Sequence, residues 1–198
     1  KGVPQKNVHV IHNGSCPLPE LSENEKTQVR RELGLSNSDF VVGMVARLES
    51  GKGHETLLHA AKICIQKSPH LRFVIVGDGT RAAALHALAH ALDLKDRVIF
   101  TGFRKDVARI MAILQVNVNC SERSETSSLS LSEGMSIGVV PVVSRCGGNA
   151  YMAGFGQNGI IFPVGDASAL SQAILALAND RQRLATLSDR SRTRFHEQ

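Results

Sequence analysis

The feature that most constrains this chain is a regular alternation of short apolar runs with longer amphipathic segments. Continuous runs of Val and Ile are typical of strands buried on both faces, as in a parallel sheet covered by helices. Right-handed βαβ crossovers would join them into a doubly wound, Rossmann-like α/β domain. The predicted strands lie at residues 8–12, 40–46, 71–76, 97–102, 116–120, 139–144 and 159–163. The predicted helices lie at about 22–33, 53–67, 80–92, 104–113, 129–137 and 167–178.

The composition is that of an ordinary globular domain. Hydrophobic residues make up 42% of the chain and charged residues 21%, and there is no run of 18 apolar residues that would predict a membrane span. We therefore predict one domain over residues 1–198, with a lead-in strand and loop at 1–20 and a C-terminal helix at 180–198. The chain begins with Lys rather than Met, which suggests a piece of a longer protein.

Cysteine usage predicts a reducing compartment. None of the four cysteines forms a CxxC pair, so a zinc site is not predicted. Cys64, Cys120 and Cys146 fall in apolar or strand-like segments and are interpreted as reduced core residues. The predicted location is therefore cytoplasmic.

The net charge of +5 suits an anionic partner. With one Tyr and no Trp, the chain has few aromatic platforms for single-stranded nucleic acid, so nucleic acid is not the predicted partner. A phosphate-bearing small molecule or an anionic membrane surface explains the charge as well. The five arginines within 181–195 could form a solvated face, or a contact with the inner face of a membrane or with another domain.

Three familiar motifs are incomplete. Gly51-Lys52-Gly53 lacks the Ser or Thr and the earlier glycine of a Walker A loop. GDGTRA at 77–82 fits GxGxxG/A, but it follows the third predicted strand rather than the first. His86 and His90 have the i, i+4 spacing of a zinc helix but no acidic residue between them. We therefore do not predict a Walker A loop, a dinucleotide-binding loop or a zinc site from these three motifs.

Two other features fall on loops at the carboxyl edge of the predicted sheet, where open α/β sheets bind ligands. The first is Arg47 with Lys52, in a loop where glycines flank the lysine. Two cations on one loop suit a diphosphate, and the glycines let the main chain approach it closely.

The second feature is a pair of carboxylates, Glu125 and Glu133, separated by seven residues. If a helix begins near Ser127 or Ser128, its amide N–H groups face the same edge and suit phosphate oxygens. One carboxylate could accept both hydroxyls of a ribose diol, and the other could meet a sugar ring beyond the diphosphate.

With these residues in place, the chain resembles the C-terminal, donor-binding domain of a GT-B-fold glycosyltransferase of the family 4 retaining type, glycosyltransferases group 1. The resemblance covers nearly the whole chain. The matching stretches are VIHNG, GMVARLESGKGHETLLHA, LRFVIVGDG, DRVIFTGF, SETSSLSLSEGMSIGVVPVVS, CGGN and NGIIFPVGD.

The resemblance implies a nucleotide-diphosphate sugar as donor, bound without a metal or another cofactor. Glu125 would lie on the donor-sugar side as the catalytic carboxylate, and Glu133 would take the ribose hydroxyls. The donor-binding residues implied around them are Arg47, Lys52 and Gly53 for the diphosphate, Phe103 and Arg104 for the base through the main chain, and the amides of Ser128 and Leu129 for phosphate.

The sequence departs from the family pattern at several positions. Thr126 replaces a usual Gly, Gly134 and Ser136 replace the alanines of Glu-Ala-Met-Ala, and Tyr151 stands where an acidic residue is common. The N-terminal domain that would hold a glycan or lipid-linked acceptor is expected to be missing, so this piece should bind donor weakly without turnover. Two alternatives remain open: a UDP-sugar epimerase of the same fold and a non-catalytic sugar-nucleotide-binding module.

Overall fold

Six of the apolar runs form one sheet in the computed structural model, which describes residues 13–197. The strands are β1 (Phe40–Val45), β2 (Leu71–Val76), β3 (Val98–Gly102), β4 (Val116–Asn119), β5 (Val140–Ser144) and β6 (Ile160–Phe162). Each differs from its predicted bounds by at most one residue at either end. All neighbours pair in parallel, in the order β3-β2-β1-β4-β5-β6. The predicted strand at 8–12 lies outside the described residues.

The helices follow the predicted alternation. They are α1 (Glu23–Glu32), α2 (His54–Lys67), α3 (Ala82–Ala91), α4 (Val107–Met111), α5 (Leu129–Ser136), α6 (Asn149–Met152), α7 (Ala167–Asn179) and α8 (Arg181–His196). Helix α1 begins with a capping box between Ser22 and Glu25, and Asp166 caps the N-terminus of α7 through the amide of Ala169.

Two local predictions differ from the structure. The helix predicted at 104–113 is shorter, because the Arg104 guanidinium binds both carboxylate oxygens of Asp106, at 2.7 and 2.6 Å, and the helix begins only after this paired turn. Helix α6 and a 3₁₀ turn at Gly154–Gly156 were not predicted. This glycine-rich stretch is too short to show helical periodicity.

The sheet is covered on both faces, as a doubly wound domain requires. One core cluster joins a sheet face to α2, α3 and α7, and includes Phe73, Leu57 and Ile174. A second cluster joins the other face to α1 and α4 around Val29 and Ile110. A third packs α5 and α6 against β5. The α/β fold class is confirmed.

The arginine-rich α8 is bound to the body of the domain by some of its own charges. Arg190 donates to the carbonyl of Gln157 at 3.2 Å, and Arg192 donates to that of Ile137 at 3.1 Å. The Arg194 guanidinium lies 4.5 Å from the centre of the Tyr151 ring. Part of the predicted basic face is therefore a packing surface. Within residues 13–197, no helix combines the length and the apolar character needed to cross a membrane.

Candidate functional site

A crevice opens between β1 and β4, the two central strands, where the order of the sheet reverses. These strands share only the pairs Val42↔Val116 and Gly43↔Asn117, although β1 runs on to Val45. Beyond the last pair the space between them is open. Reversal points of this kind are where open α/β sheets bind ligands, at the carboxyl ends of the strands.

The crevice forms a cavity of about 410 Å³. Its lining residues come from the two central strands and the loops that follow them: Met44, Val45, Ala46, Arg47, Lys52, Val118, Asn119, Ser121, Glu125, Ser127, Ser128, Leu129 and Ser130. Five of the residues singled out from the sequence are therefore together in one cavity: Arg47, Lys52, Glu125, Ser128 and Leu129.

Lys52 and Glu125 form an ion pair inside this cavity. Lys52 Nζ lies 3.2 Å from Glu125 Oε2, and the side chains keep only 29% and 12% of their exposure. Asn119 Nδ2 and Ser121 Oγ donate to the same carboxylate oxygen, at 3.2 and 2.9 Å. A lysine ammonium has three hydrogens, so one bond to Glu125 leaves capacity for an anionic ligand.

The pKa values of the two glutamates, Glu125 and Glu133, are shifted in opposite directions. Burial works to raise the pKa of Glu125, but the hydrogen bonds from Asn119, Ser121 and Lys52 outweigh it and hold the pKa below its usual value. For Glu133, on α5, burial raises the pKa. Glu125 is thus kept as a carboxylate, which can accept hydrogen bonds from sugar hydroxyls.

Glycines hold the lysine loop against the end of β4. Gly53 begins α2 with φ +74, and a Cβ there would overlap the carbonyl oxygen of Cys120. The amide of Glu122 donates to the carbonyl of Gly51 at 2.9 Å. The close approach predicted for these glycines is therefore made to the neighbouring loop of the protein.

A second pair of glycines holds the carboxylate loop. A Cβ on Gly147 would overlap the carbonyl oxygen of Glu125, and one on Gly148 would overlap that of Thr126. The amide of Gly148 donates to the Glu125 carbonyl at 2.7 Å. The Cys-Gly-Gly-Asn stretch after β5 is thus the surface against which the main chain of Glu125 rests.

Helix α5 directs its N-terminus into the cavity. Ser128 is its N-cap, and Ser128, Leu129 and Ser130 all line the cavity. The first amide N–H groups of an α-helix have no partner within the helix and carry partial positive charge. This end of α5 therefore adds hydrogen-bond donors to the cations Arg47 and Lys52.

Four of the predicted site residues lie outside the cavity lining. Gly53 is buried under the loop as described, and Glu133 lies in the second turn of α5. Phe103 and Arg104 follow the edge strand β3, two strands away from β1. The ring of Phe103 is 73% exposed.

The GxGxxG-like loop has a packing role in this structure. A Cβ on Gly77 would overlap the carbonyl oxygen of Ala46, and one on Gly79 would lie 2.5 Å from that of Leu48. Glu49 in turn accepts a bond from the Thr80 hydroxyl at 2.7 Å. These glycines let the loop fit against the segment that carries Arg47. Among residues 13–197, no group of three or more His, Cys, Asp or Glu side chains could hold a metal ion.

Three polar residues behind Glu125 were not singled out from the sequence. Asn119, Ser144 and Asn149 are buried and hydrogen-bonded to one another or to the Glu125 loop. For Asn119 the sequence does contain an indication of such a role, because it belongs to V-N-V-N, an unusual polar insertion in a strand expected to be apolar.

Comparison with known proteins identifies relatives over most of the chain. The sequence model of the family "Glycosyl transferases group 1" matches residues 25–194. The N-acetyl-alpha-D-glucosaminyl L-malate synthase of Bacillus anthracis is 26% identical over 98% of this chain and 50% of its own length. The chain thus spans about half the length of this curated relative.

Solved structures agree with that coverage. The Anabaena protein Alr3699/HepE, in complex with UDP-glucose, superposes with a TM-score of 0.84 at 28% identity, over 90% of this chain and 49% of that one. The C-terminal domain of a group 1 glycosyl transferase, LpcC from Francisella tularensis, superposes with a TM-score of 0.79 at 17% identity, over 90% and 94%. The second likeness, at 17% identity, is one of fold.

Proposed function

The chain belongs to the glycosyl transferases group 1 family, and from this premise we propose that it binds the nucleotide-diphosphate sugar donor of a retaining glycosyltransferase. The observation that carries the proposal is the paired Lys52 and Glu125 in a cavity that also receives the N-terminus of α5. Cations and helix amides suit a diphosphate, and a carboxylate suits sugar hydroxyls.

In this proposal the diphosphate lies between Arg47, Lys52 and the amides of Ser128 and Leu129. Cleavage of the bond between sugar and diphosphate develops negative charge on the leaving group, and these donors are placed to stabilise it. Glu125 lies beside the donor sugar. No metal or other cofactor is assigned to this step.

The nucleoside would extend from the cavity across β2 toward the edge of the sheet. Glu133 would accept the ribose hydroxyls, and the main chain at Phe103 and Arg104 would contact the base. Two strand spacings amount to roughly 10 Å, a span that a ribose and base can cover. Because HepE was solved with UDP-glucose at 28% identity, a UDP-sugar is the first donor to test.

The acceptor is proposed to be a glycan or lipid-linked molecule, held by a further domain in the longer protein. We propose that transfer takes place in the cytoplasm, with peripheral contact to the inner face of the membrane, and serves polysaccharide biosynthesis. The isolated chain is proposed to bind donor without transferring sugar.

Calorimetric titration of the chain with UDP, GDP and ADP, and then with their sugar conjugates, tests the donor site. We expect one nucleotide to bind, and Lys52→Ala to weaken its binding by about tenfold or more, because a charge-assisted hydrogen bond to phosphate is lost. Lys67→Ala is the matched control, since Lys67 is exposed at the opposite end of α2. Binding of none of the three nucleotides, or equal affinity in both variants, would contradict the assignment.

A further inference from the structure

Two buried asparagines form a chain of hydrogen bonds that ends on Glu125. Asn149 Nδ2 donates to Asn119 Oδ1 at 3.2 Å, and Asn119 Nδ2 donates to Glu125 Oε2 at 3.2 Å. Asn149 is fully buried and Asn119 keeps 9% of its exposure. The chain of bonds therefore links the segment after β5 to the carboxylate in the cavity, through the last residue of β4.

Neighbouring groups fix which way each amide faces. The main-chain amide of Ser121 donates to Asn119 Oδ1 at 2.9 Å, so the Nδ2 group of Asn119 must face Glu125. Asn149 Nδ2 also donates to Ser144 Oγ at 3.2 Å, while the Ser144 hydroxyl donates to the Ser121 carbonyl at 2.6 Å. Both hydrogens of the Asn149 amide are used. Reversing Asn119 would set its Nδ2 against the donors of Ser121 and Asn149, and reversing Asn149 would set its Oδ1 against the Asn119 Oδ1 acceptor.

Strand pairing does not require an amide at position 119. The β4–β5 ladder uses main-chain groups, and a Val or Ile would suit a buried central strand better than an asparagine, whose burial costs free energy unless it is bonded. What the Asn119 side chain adds is a donor to Glu125 and an acceptor for Ser121 and Asn149.

We propose that Asn119 and Asn149 are positioning residues, which fix the Glu125 carboxylate so that Oε2 is held by the protein and Oε1 is presented to a hydroxyl of the donor sugar. The inference rests on the proposed function, because it assumes that Glu125 faces the sugar. It adds that two amides of the protein set the orientation of this carboxylate: Asn119, in the cavity lining, and Asn149, outside it.

The charged surroundings of Glu125 make its titration a usable measure of this arrangement. Lys52 faces it from the preceding loop, and Arg47 lines the same cavity. Glu122 and Arg123 belong to its own loop. The segment 146–149 packed behind it carries one titratable group, the buried thiol of Cys146, and no charged side chain. Removing the Asn119 donor should therefore raise the pKa of Glu125 while the neighbouring charges stay in place.

The first test needs no ligand. The carboxyl carbon of Glu125 is followed by NMR against pH in the wild-type chain, with Glu125→Gln to assign the signal. We expect Asn119→Leu and Asn149→Leu to raise the pKa of Glu125, the second by less because it acts through the first. Asn117→Leu is the matched control. Asn117 lies on the same strand and is also buried, but it donates to the Ser130 carbonyl instead.

If Asn119→Leu does not fold, Asn119→Asp keeps the shape of the side chain and carries the same test. An aspartate cannot donate to Glu125 when ionised and adds a like charge, so the pKa of Glu125 must rise further. A folded variant at position 119 in which Glu125 titrates as in the wild type, or no more altered than in Asn117→Leu, would overturn the proposal.

The second test compares UDP with UDP-glucose by calorimetry. We expect Asn119→Leu to weaken UDP-glucose by about tenfold while UDP itself changes little, because the lost bond orients a group on the sugar side. Equal weakening of the two would indicate a general structural role and contradict the inference. If the wild-type chain binds neither ligand, the proposed function fails, whereas the NMR titration still decides whether the asparagines hold the carboxylate.

Discussion

Substitution of Gly147 by alanine tests whether the glycine pair after β5 holds the loop that carries Glu125. Gly147 has φ +50, where an L-residue costs about 1–2 kcal/mol. Its Cβ would overlap the Glu125 carbonyl oxygen and lie 3.1 Å from the Glu125 amide nitrogen. Displacing that carbonyl breaks the 2.7 Å bond from Gly148, worth about 1 kcal/mol. We expect a total loss of about 2–3 kcal/mol.

The matched control is Gly165→Ala. Gly165 also has a positive φ, +73, but an added Cβ would meet nothing within 4 Å, so only the backbone strain of about 1–2 kcal/mol applies. The smaller entropy of an unfolded chain with alanine affects both variants alike. For a domain of this length, 1 kcal/mol shifts the Tm by about 2–4 °C. The two variants then differ by about 1 kcal/mol, so Gly147→Ala should melt about 2–4 °C below Gly165→Ala.

Differential scanning calorimetry measures this difference directly, and titration with UDP shows whether the displaced loop still binds. We expect Gly147→Ala to lose UDP affinity and Gly165→Ala to keep it. Equal melting temperatures would show that the carboxylate loop moves aside without cost. The glycine pair would then not hold Glu125, and the reasoning would be refuted.

Two further predictions concern titration and reactivity. Burial lowers the pKa of His54 from 6.5 to about 4. Between pH 6.5 and 4 the histidine is therefore protonated in the unfolded chain but neutral in the folded domain. The free energy of unfolding should fall by up to about 3 kcal/mol as the pH drops through this window. Urea denaturation between pH 6.5 and 4 should show that His54→Leu lacks this fall in the free energy of unfolding. The same pH dependence in the variant and the wild type would refute the prediction. Only the exposed Cys16 should react with a thiol reagent in the folded chain. Cys64, whose pKa burial raises to about 12, and the buried Cys120 and Cys146 should react only in urea; more than one reactive thiol in the folded chain would contradict this.

The strands could be predicted from the sequence because their signal is local. Each contains Val or Ile, most of them in continuous apolar runs, and in a parallel sheet such runs are buried on both faces. The sheet edge that collects Arg47, Lys52 and Glu125 followed from the alternation of strands and helices alone, since all the carboxyl ends of parallel strands face one way.

What could not be predicted depends on contacts between distant segments. Helix α6 is one turn long and is set by packing of Met152 and Ala153 against α5 and β5. The roles of Gly147 and Gly148 appear only once the segment after β5 lies against residues 125–126. Asn119 was predicted only as part of a strand. Its side-chain bond to Asn149 could not be predicted, because Asn149 lies 30 positions further along the chain.

The division of the site between two halves of the sheet also constrains how the domain can fold. Lys52 follows β1, Glu125 follows β4, and the two are 73 residues apart, with β2 and β3 formed in between. A folding intermediate with only β1–β3 assembled would carry the lysine loop without its carboxylate, and one with only β4–β6 would carry the reverse. Contacts between residues distant in sequence form slowly. The ability to bind ligand should therefore appear in the last kinetic phase of refolding. The appearance of ligand binding would then mark the time at which the two halves of the sheet pair through β1 and β4.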